Sequence, residues 1–274
     1  MLASILANVA TPPDGFAPPG TEIFDFTREC LVGSGNYCVN KVSFWMLMSA
    51  VIISALFIVA FRAPKLVPTG VQNLMEAFVD LVRSAVVLEV MGPQGLPFLP
   101  FLTSIFIFIW VNNTYGIIPG IQFPTTARMA IPVMLAVLVW LVFNVVGIVK
   151  QGGWTYIKGV LFPPGVPKPI YILVTPIEFV SVFIVRPLTL AVRLGANMIA
   201  GHLILTIFAL GSFYLFAEFG QPGLGSKITG MFGFLSFALQ IFMTGFELLV
   251  AFLQAYIFTM LTAVYISGAI HPEH

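Results

Sequence analysis

The chain has 274 residues, of which 59% are apolar and only 8% charged, and its mean hydropathy is +1.01. A soluble domain carries about 25% charged residues, so this composition excludes a water-soluble globular protein and points to the integral membrane class. A net charge of +1 gives no electrostatic basis for a nucleic-acid partner.

The chain opens Met1-Leu2-Ala3-Ser4-Ile5-Leu6 without the basic residue of a signal-peptide n-region, so this stretch reads as mature protein. Residues 1–40 read as an N-terminal segment, polar over 11–40, and residues 41–274 as a single membrane domain. Cys30 and Cys38, the only cysteines, flank the turn-forming run Gly33-Ser34-Gly35-Asn36. A hairpin there is compatible with a disulfide on an oxidising face and equally with two free thiols. A first span is predicted over 42–61, bounded by Lys41 and by Arg62 and Lys65; twenty residues cover about 30 Å. From Val71 to Met91 the polar positions Gln72, Asn73, Glu76, Asp80, Arg83 and Ser84 fall opposite Val71, Leu74, Met75, Phe78, Leu81, Val82 and Ala85. That pattern predicts an amphipathic helix lying on the surface. Two more spans follow over 99–118 and 130–149.

If spans alternate, Arg62, Lys65, Arg83, Lys150, Lys158 and Lys168 share one side, against Arg28, Lys41, Arg128 and Lys227 on the other. The positive-inside rule then places the N-terminal segment outside. The last two apolar stretches, 170–215 and 228–270, are too long for one simple span each. Hydropathy favours two spans per stretch, while the lack of turn residues in the second favours one long, tilted or kinked helix.

Polar residues inside these stretches carry the chemistry: Glu178, Arg186, Arg193, His202 and Glu247 stand where apolar residues are expected. A charge at mid-bilayer costs about 2.5–3.5 kcal/mol on insertion scales, so it normally faces a pathway or a partner. At 100° per residue, Arg186, Arg193 and Asn197 share a helix face, and His202 lies half a turn away from it. Gln240, Glu247 and Gln254, seven apart, form one polar stripe. Arginine keeps its charge at any workable pH, so it cannot relay protons. It can draw a carboxylate on a moving partner, make it release its proton and block direct leakage. His202 is of the type that titrates near neutrality, and with Glu247 it can pass protons between water and such a partner. The alternative is a set of interhelical ion pairs or snorkelling ends, which suits Arg186 better than Arg193.

The run Pro187-Leu188-Thr189-Leu190-Ala191-Val192-Arg193-Leu194-Gly195-Ala196-Asn197-Met198-Ile199-Ala200-Gly201-His202 resembles the signature of subunit a of F-type ATP synthases. So do Leu253-Gln254-Ala255-Tyr256-Ile257-Phe258, Leu261-Thr262-Ala263-Val264-Tyr265 and, in the third helix, Asn112-Asn113-Thr114-Tyr115-Gly116-Ile117-Ile118-Pro119. The resemblance covers essentially the whole chain. It implies an all-α membrane fold of about five embedded helices plus one amphipathic surface helix. The last two helices would form a long tilted hairpin against a ring of c subunits. By position, Arg193 matches the arginine facing the ring carboxylates, Gln254 the glutamine packed near it, and Asn197 the asparagine one turn on. His202 and Glu247 match a pair whose members are exchanged in several bacterial relatives, and Asn113 matches a polar residue of the outer half-channel. Gly116 departs from an aspartate found in some members. Glu178 and Ser181 approximate inner half-channel positions, with a spacing from Arg193 that differs by one residue. Gln240 joins them through its place on the stripe.

The resemblance further implies proton translocation through two offset half-channels, with c-ring subunits, peripheral-stalk b subunits and the remaining ATP synthase subunits as partners in the lipid bilayer. It implies no cofactor and no catalysis by the chain alone. The expected location is the bacterial plasma membrane, with the mitochondrial inner membrane as alternative. Other classes fit less well: neither H-E-x-x-H nor G-x-S-x-G occurs, and one embedded histidine does not supply paired haem ligands. A secondary transporter would be expected to show an internal repeat of its halves.

Overall fold

A computed structural model describes residues 30–32, 39–118, 124–162, 170–219 and 224–270. Two short strands, β1 (Cys30–Val32) and β2 (Val39–Asn40), pair antiparallel, a small addition to the all-helical expectation. Cys38 and the turn lie outside the described residues, so the disulfide question does too. The α-helices are α1 (Lys41–Phe61), α2 (Val71–Val82), α3 (Leu99–Thr114), α4 (Ala130–Gln151), α5 (Gly153–Leu161), α6 (Tyr171–Val180), α7 (Arg186–Phe219) and α8 (Leu224–Ile270). Among the described residues five helical stretches are long and apolar enough to cross a membrane.

α2 continues through π-helical turns, Arg83–Met91, and Gly92 at φ 66° then turns the chain into the 3-10 stretch Gly92–Phe98. Amphipathicity sorts this helix as its periodicity predicts for Met75 and Val82, which are buried, and for Asn73, Asp80 and Arg83, which are exposed. Gln72, expected on the polar side, is buried instead. Its side-chain amide accepts from the Lys65 N–H and donates to the Lys65 carbonyl, each at 3.1 Å, and also donates to Glu76 at 2.7 Å. These bonds offset the desolvation of the amide. Phe78 packs on Phe106 and Trp110 of α3, at centroid distances of 6.1 and 4.9 Å.

The two long stretches each fold as one continuous helical run, not as two spans. α6 passes through the π-turn Ser181–Val185 directly into α7. α8 has 47 residues, about 70 Å of helix against about 30 Å of hydrocarbon, so it must cross steeply tilted. α7 and α8 pack antiparallel through small residues, which let backbones approach without a hydrophobic drive in lipid. A Cβ built on Gly233 would meet the Leu215 Cβ at 3.2 Å, and Ser236 donates to the Phe208 carbonyl at 3.2 Å. On its other side α8 buries Ala255, Phe258 and Ile266 in a core shared with Phe106 of α3 and with Leu135, Val139 and Phe143 of α4.

Candidate functional site

The register of the α7–α8 hairpin decides which polar residues meet. The Asn197 amide donates to the Gln254 side-chain oxygen at 3.4 Å. One turn further along α7 and two back along α8, the Glu247 carboxyl lies against the backbone of Gly201, beside His202. A Cβ built on Gly201 would sit 2.8 Å from Glu247 Oε1 and 3.0 Å from its carboxyl carbon. Glu247 is 5% exposed, and neither of its oxygens has a hydrogen-bond partner among the described residues. Gln254, also 5% exposed, uses its oxygen on Asn197 while its NH2 group is unpartnered there. His202 is half-buried, and its carbonyl accepts from Thr206. Gln240 sits half-exposed two turns before Glu247, its carbonyl accepting from Thr244.

Arg193 is exposed; at 100° per residue His202 lies half a turn round α7 from it, and Gly201, the seat of Glu247, about 80° round. Exposed Leu188 and Val192 flank it on α7, and Leu249 and Leu253 are exposed on α8 near Gln254. A guanidinium thus stands on an open apolar face.

Asn113 is 1% exposed; its side-chain oxygen accepts from Thr126 at 2.6 Å and its NH2 group has no partner among the described residues. Its neighbour Asn112 ties three elements together. It accepts from Thr125 at 2.6 Å and donates to Ser49 of α1 at 3.0 Å and to the Phe108 carbonyl at 2.8 Å. Thr125, Thr126 and Asn112 are site residues that sequence reading did not single out. The only signal was a doublet of threonines facing a doublet of asparagines thirteen positions earlier. Gly116 closes on the Pro124 ring, which a Cβ would meet at 3.1 Å, so an aspartate in that place would require the ring to give by a few tenths of an ångström. Phe252, five residues past Glu247, packs edge-on against Phe106 and Trp110, bringing the Glu247 end of α8 to the Asn113 end of α3.

At the other end of Arg193's helix face, the Arg186 guanidinium sits 5.4 Å over the Tyr265 ring. Tyr156 of α5 packs on Gly147 and its hydroxyl donates to Asn144 at 3.2 Å. Burial pushes the Tyr156 phenol above its usual range, and the nearby Arg186 charge pulls it back. Glu178 and Ser181 are half-buried on either side of the junction between α6 and the π-turn. A π-turn is how a helix takes in one extra residue. It lies between Glu178 and Arg193.

Three groups of polar residues therefore line up along the hairpin: Asn113, His202 and Glu247 at one end, Arg193 with Asn197 and Gln254 centrally, and Arg186 with Glu178 and Ser181 at the other. A family model described as ATP synthase A chain matches residues 43–267. The chain is 42% identical over 261 residues to an ATP synthase subunit a from Rhodococcus erythropolis, covering 95% of this chain and 92% of the relative. It is 43% identical over 260 residues to one from Parafrankia sp., covering 94% and 85%. A third, from Maricaulis maris, is 38% identical over 263 residues, covering 92% and 95%.

Proposed function

The chain belongs to the ATP synthase subunit a family, and from that membership we propose that it is the proton-conducting stator subunit facing a rotating c-ring. The observation that carries the reading is the bare Arg193 on an exposed apolar face, with the buried Glu247 carboxyl seated about two turns further along the same helix, at Gly201. A proton enters from outside past Asn113, reaches the His202–Glu247 pair, and neutralises a ring carboxylate. The neutral site turns through lipid until it reaches the Glu178–Ser181 end, where it releases its proton inward. Arg193 then pairs with the ionised carboxylate and prevents a proton from crossing directly. Asn197 and Gln254, bonded to one another, hold the two helices in register at the arginine, and Gln240 extends the polar stripe toward the outer entrance. The driving term is about 2.3 kcal/mol per charge per 100 mV. The chain itself forms no covalent bond; nucleotide chemistry belongs to a catalytic head.

The c-ring supplies the carboxylate, peripheral-stalk b subunits hold the chain still, and the remaining subunits complete the complex. Since the relatives above are bacterial, the location proposed is the bacterial plasma membrane. The half-channel assignment is supported by the contact of Phe252 with Trp110 at one end and of Arg186 with Tyr265 at the other.

The test is ATP-driven acidification of inverted vesicles carrying Arg193→Ala or Arg193→Lys, after co-purification of the c-ring has established assembly. Both variants are expected to assemble and fail to pump, lysine included, because an ammonium lacks the planar fork that meets a carboxylate in two places. An assembled Arg193→Ala complex that pumps normally would make the arginine structural and overturn the mechanism.

A further inference from the structure

We infer that α5 is a docking helix for anionic phospholipid headgroups, with Trp154 seated at the headgroup boundary and Lys150 and Lys158 beside the phosphate. The two faces of this nine-residue helix differ sharply. The inward face is committed to the fold through Tyr156, which is buried on Gly147 and bonded to Asn144. The outward face carries Trp154, which is 81% exposed, with Ile157 and Lys158 also exposed. Trp154 and Lys158 are one turn apart. Lys150 is exposed in the last turn of α4, and Gly152 at φ 84° bends the chain between the two helices.

Two facts identify the occupant. First, α5 directly follows a membrane span, at the end of the molecule where the Gln151 amide donates to the Ala269 carbonyl at 2.7 Å. An indole with an apolar body and a polar N–H is at its best at the membrane–water boundary. Second, no acidic residue occurs between Arg128 and Glu178, whereas three lysines do. The positive charge of this stretch is thus unbalanced within its own sequence, and it is complementary to an anionic surface. Each lysine near such a surface favours anionic lipid about fivefold, and the preference is screened by salt. A zwitterionic headgroup would satisfy the tryptophan but leave the lysines without selection.

The test uses the assembled complex in vesicles containing phosphatidylglycerol or phosphatidylcholine brominated in the acyl chain, at equal mole fraction. Trp154 emission is taken as the native signal minus that of Trp154→Phe. Quenching is expected from both lipids, with phosphatidylglycerol favoured about fivefold or more at low ionic strength. That preference should shrink as salt is added to the native complex, and it should vanish in Lys150→Gln/Lys158→Gln. Proton pumping of each variant, expected at the native rate, establishes that it has assembled. Absence of Trp154 quenching by either lipid would mean that another subunit covers the face. Equal quenching by the two lipids in the native complex at low salt would mean that no headgroup is selected. Either result overturns the proposal.

Discussion

Replacing Gly201 by alanine isolates the contact on which the outer end of the proposed path depends. The added methyl would lie 2.8 Å from Glu247 Oε1, and ordinary van der Waals contact begins near 3.4 Å, so the carboxyl has to retreat by about 0.6 Å. Overpacking of this kind costs about 1–3 kcal/mol, while exchanging glycine for alanine inside a helix returns about 0.5–1 kcal/mol. The net loss of stability is therefore about 0–2.5 kcal/mol, and the complex should still assemble. Transfer geometry is less forgiving: a misplacement of about 1 Å can cost a hundredfold in rate, so about 0.6 Å should slow proton uptake roughly tenfold. The assay is the initial rate of ATP-driven acidification in inverted vesicles, normalised to assembled complex. Glu247→Asp supplies the control, because withdrawing the carboxyl by one methylene makes room for the new methyl. The double variant Gly201→Ala/Glu247→Asp should therefore recover the stability lost in Gly201→Ala, read as thermal dissociation of the purified complex, although its withdrawn carboxyl leaves pumping slow. If Gly201→Ala pumps at the native rate, the seat of Glu247 against residue 201 does not govern uptake. If the double variant is no more stable than the single one, the defect is not a clash between these two residues.

Asn112→Ala should destabilise the chain more than Asn113→Ala, since Asn112 joins Ser49, Thr125 and the Phe108 carbonyl while Asn113 holds Thr126 alone. Each buried hydroxyl left without its partner costs about 1–3 kcal/mol, and thermal dissociation of the purified complex reads the order; the reverse order would refute it. Tyr265→Leu should loosen the Arg186 end by about 0.5–2 kcal/mol through loss of the cation–π contact, and Tyr265→Phe should stay near native in the same assay. Equal losses in the two variants would assign the effect to the hydroxyl and not to the ring face.

What could be read from the sequence follows physical range. The spans at 42–61 and 130–149 were legible because charged residues bracket uninterrupted apolar runs, and the observed helices end within two residues of those bounds. The third was drawn four residues too long, because Tyr115–Ile118 are apolar enough for a helix yet turn under Pro124. Hydropathy could not separate one long helix from two spans over 170–215 and 228–270; the small residues that pair α7 with α8 decide that, and their effect depends on a partner helix. Gln72 was misassigned because periodicity counts every amide as solvent-seeking, whereas a backbone seven residues earlier satisfies this one. Along one helix the angular argument separates Arg193, which is exposed, from His202, which is half-buried. It had no access to the α7–α8 register, so Gly201 as the seat of Glu247 went unseen. A glycine inside an apolar helix marks a close approach without saying what approaches.

In the proposed path the fixed charge and the titratable pair are kept apart: His202 lies half a turn round α7 from Arg193, and Glu247 reaches α7 from α8 about two turns further along. Left bare in lipid, Arg193 would cost about 2.5–3.5 kcal/mol on insertion scales, and exposed leucines surround it without offering a counter-ion. A facing carboxylate removes most of that cost only while it is ionised, so the arginine is selective for one protonation state of its partner. On the proposed reading, were His202 and Glu247 beside Arg193, a ring carboxylate could take up a proton while still paired with the arginine, and the ring would idle. A separation of about two turns along α7, with the Asn197–Gln254 bond between the two sites, would instead make a ring carboxylate leave Arg193 before it meets a proton donor. Directional rotation would then follow from that displacement together with a difference in proton potential, without movement within the stator. A change outside the path that shifts the α7–α8 register by one turn should therefore abolish coupling even though each residue of the path survives.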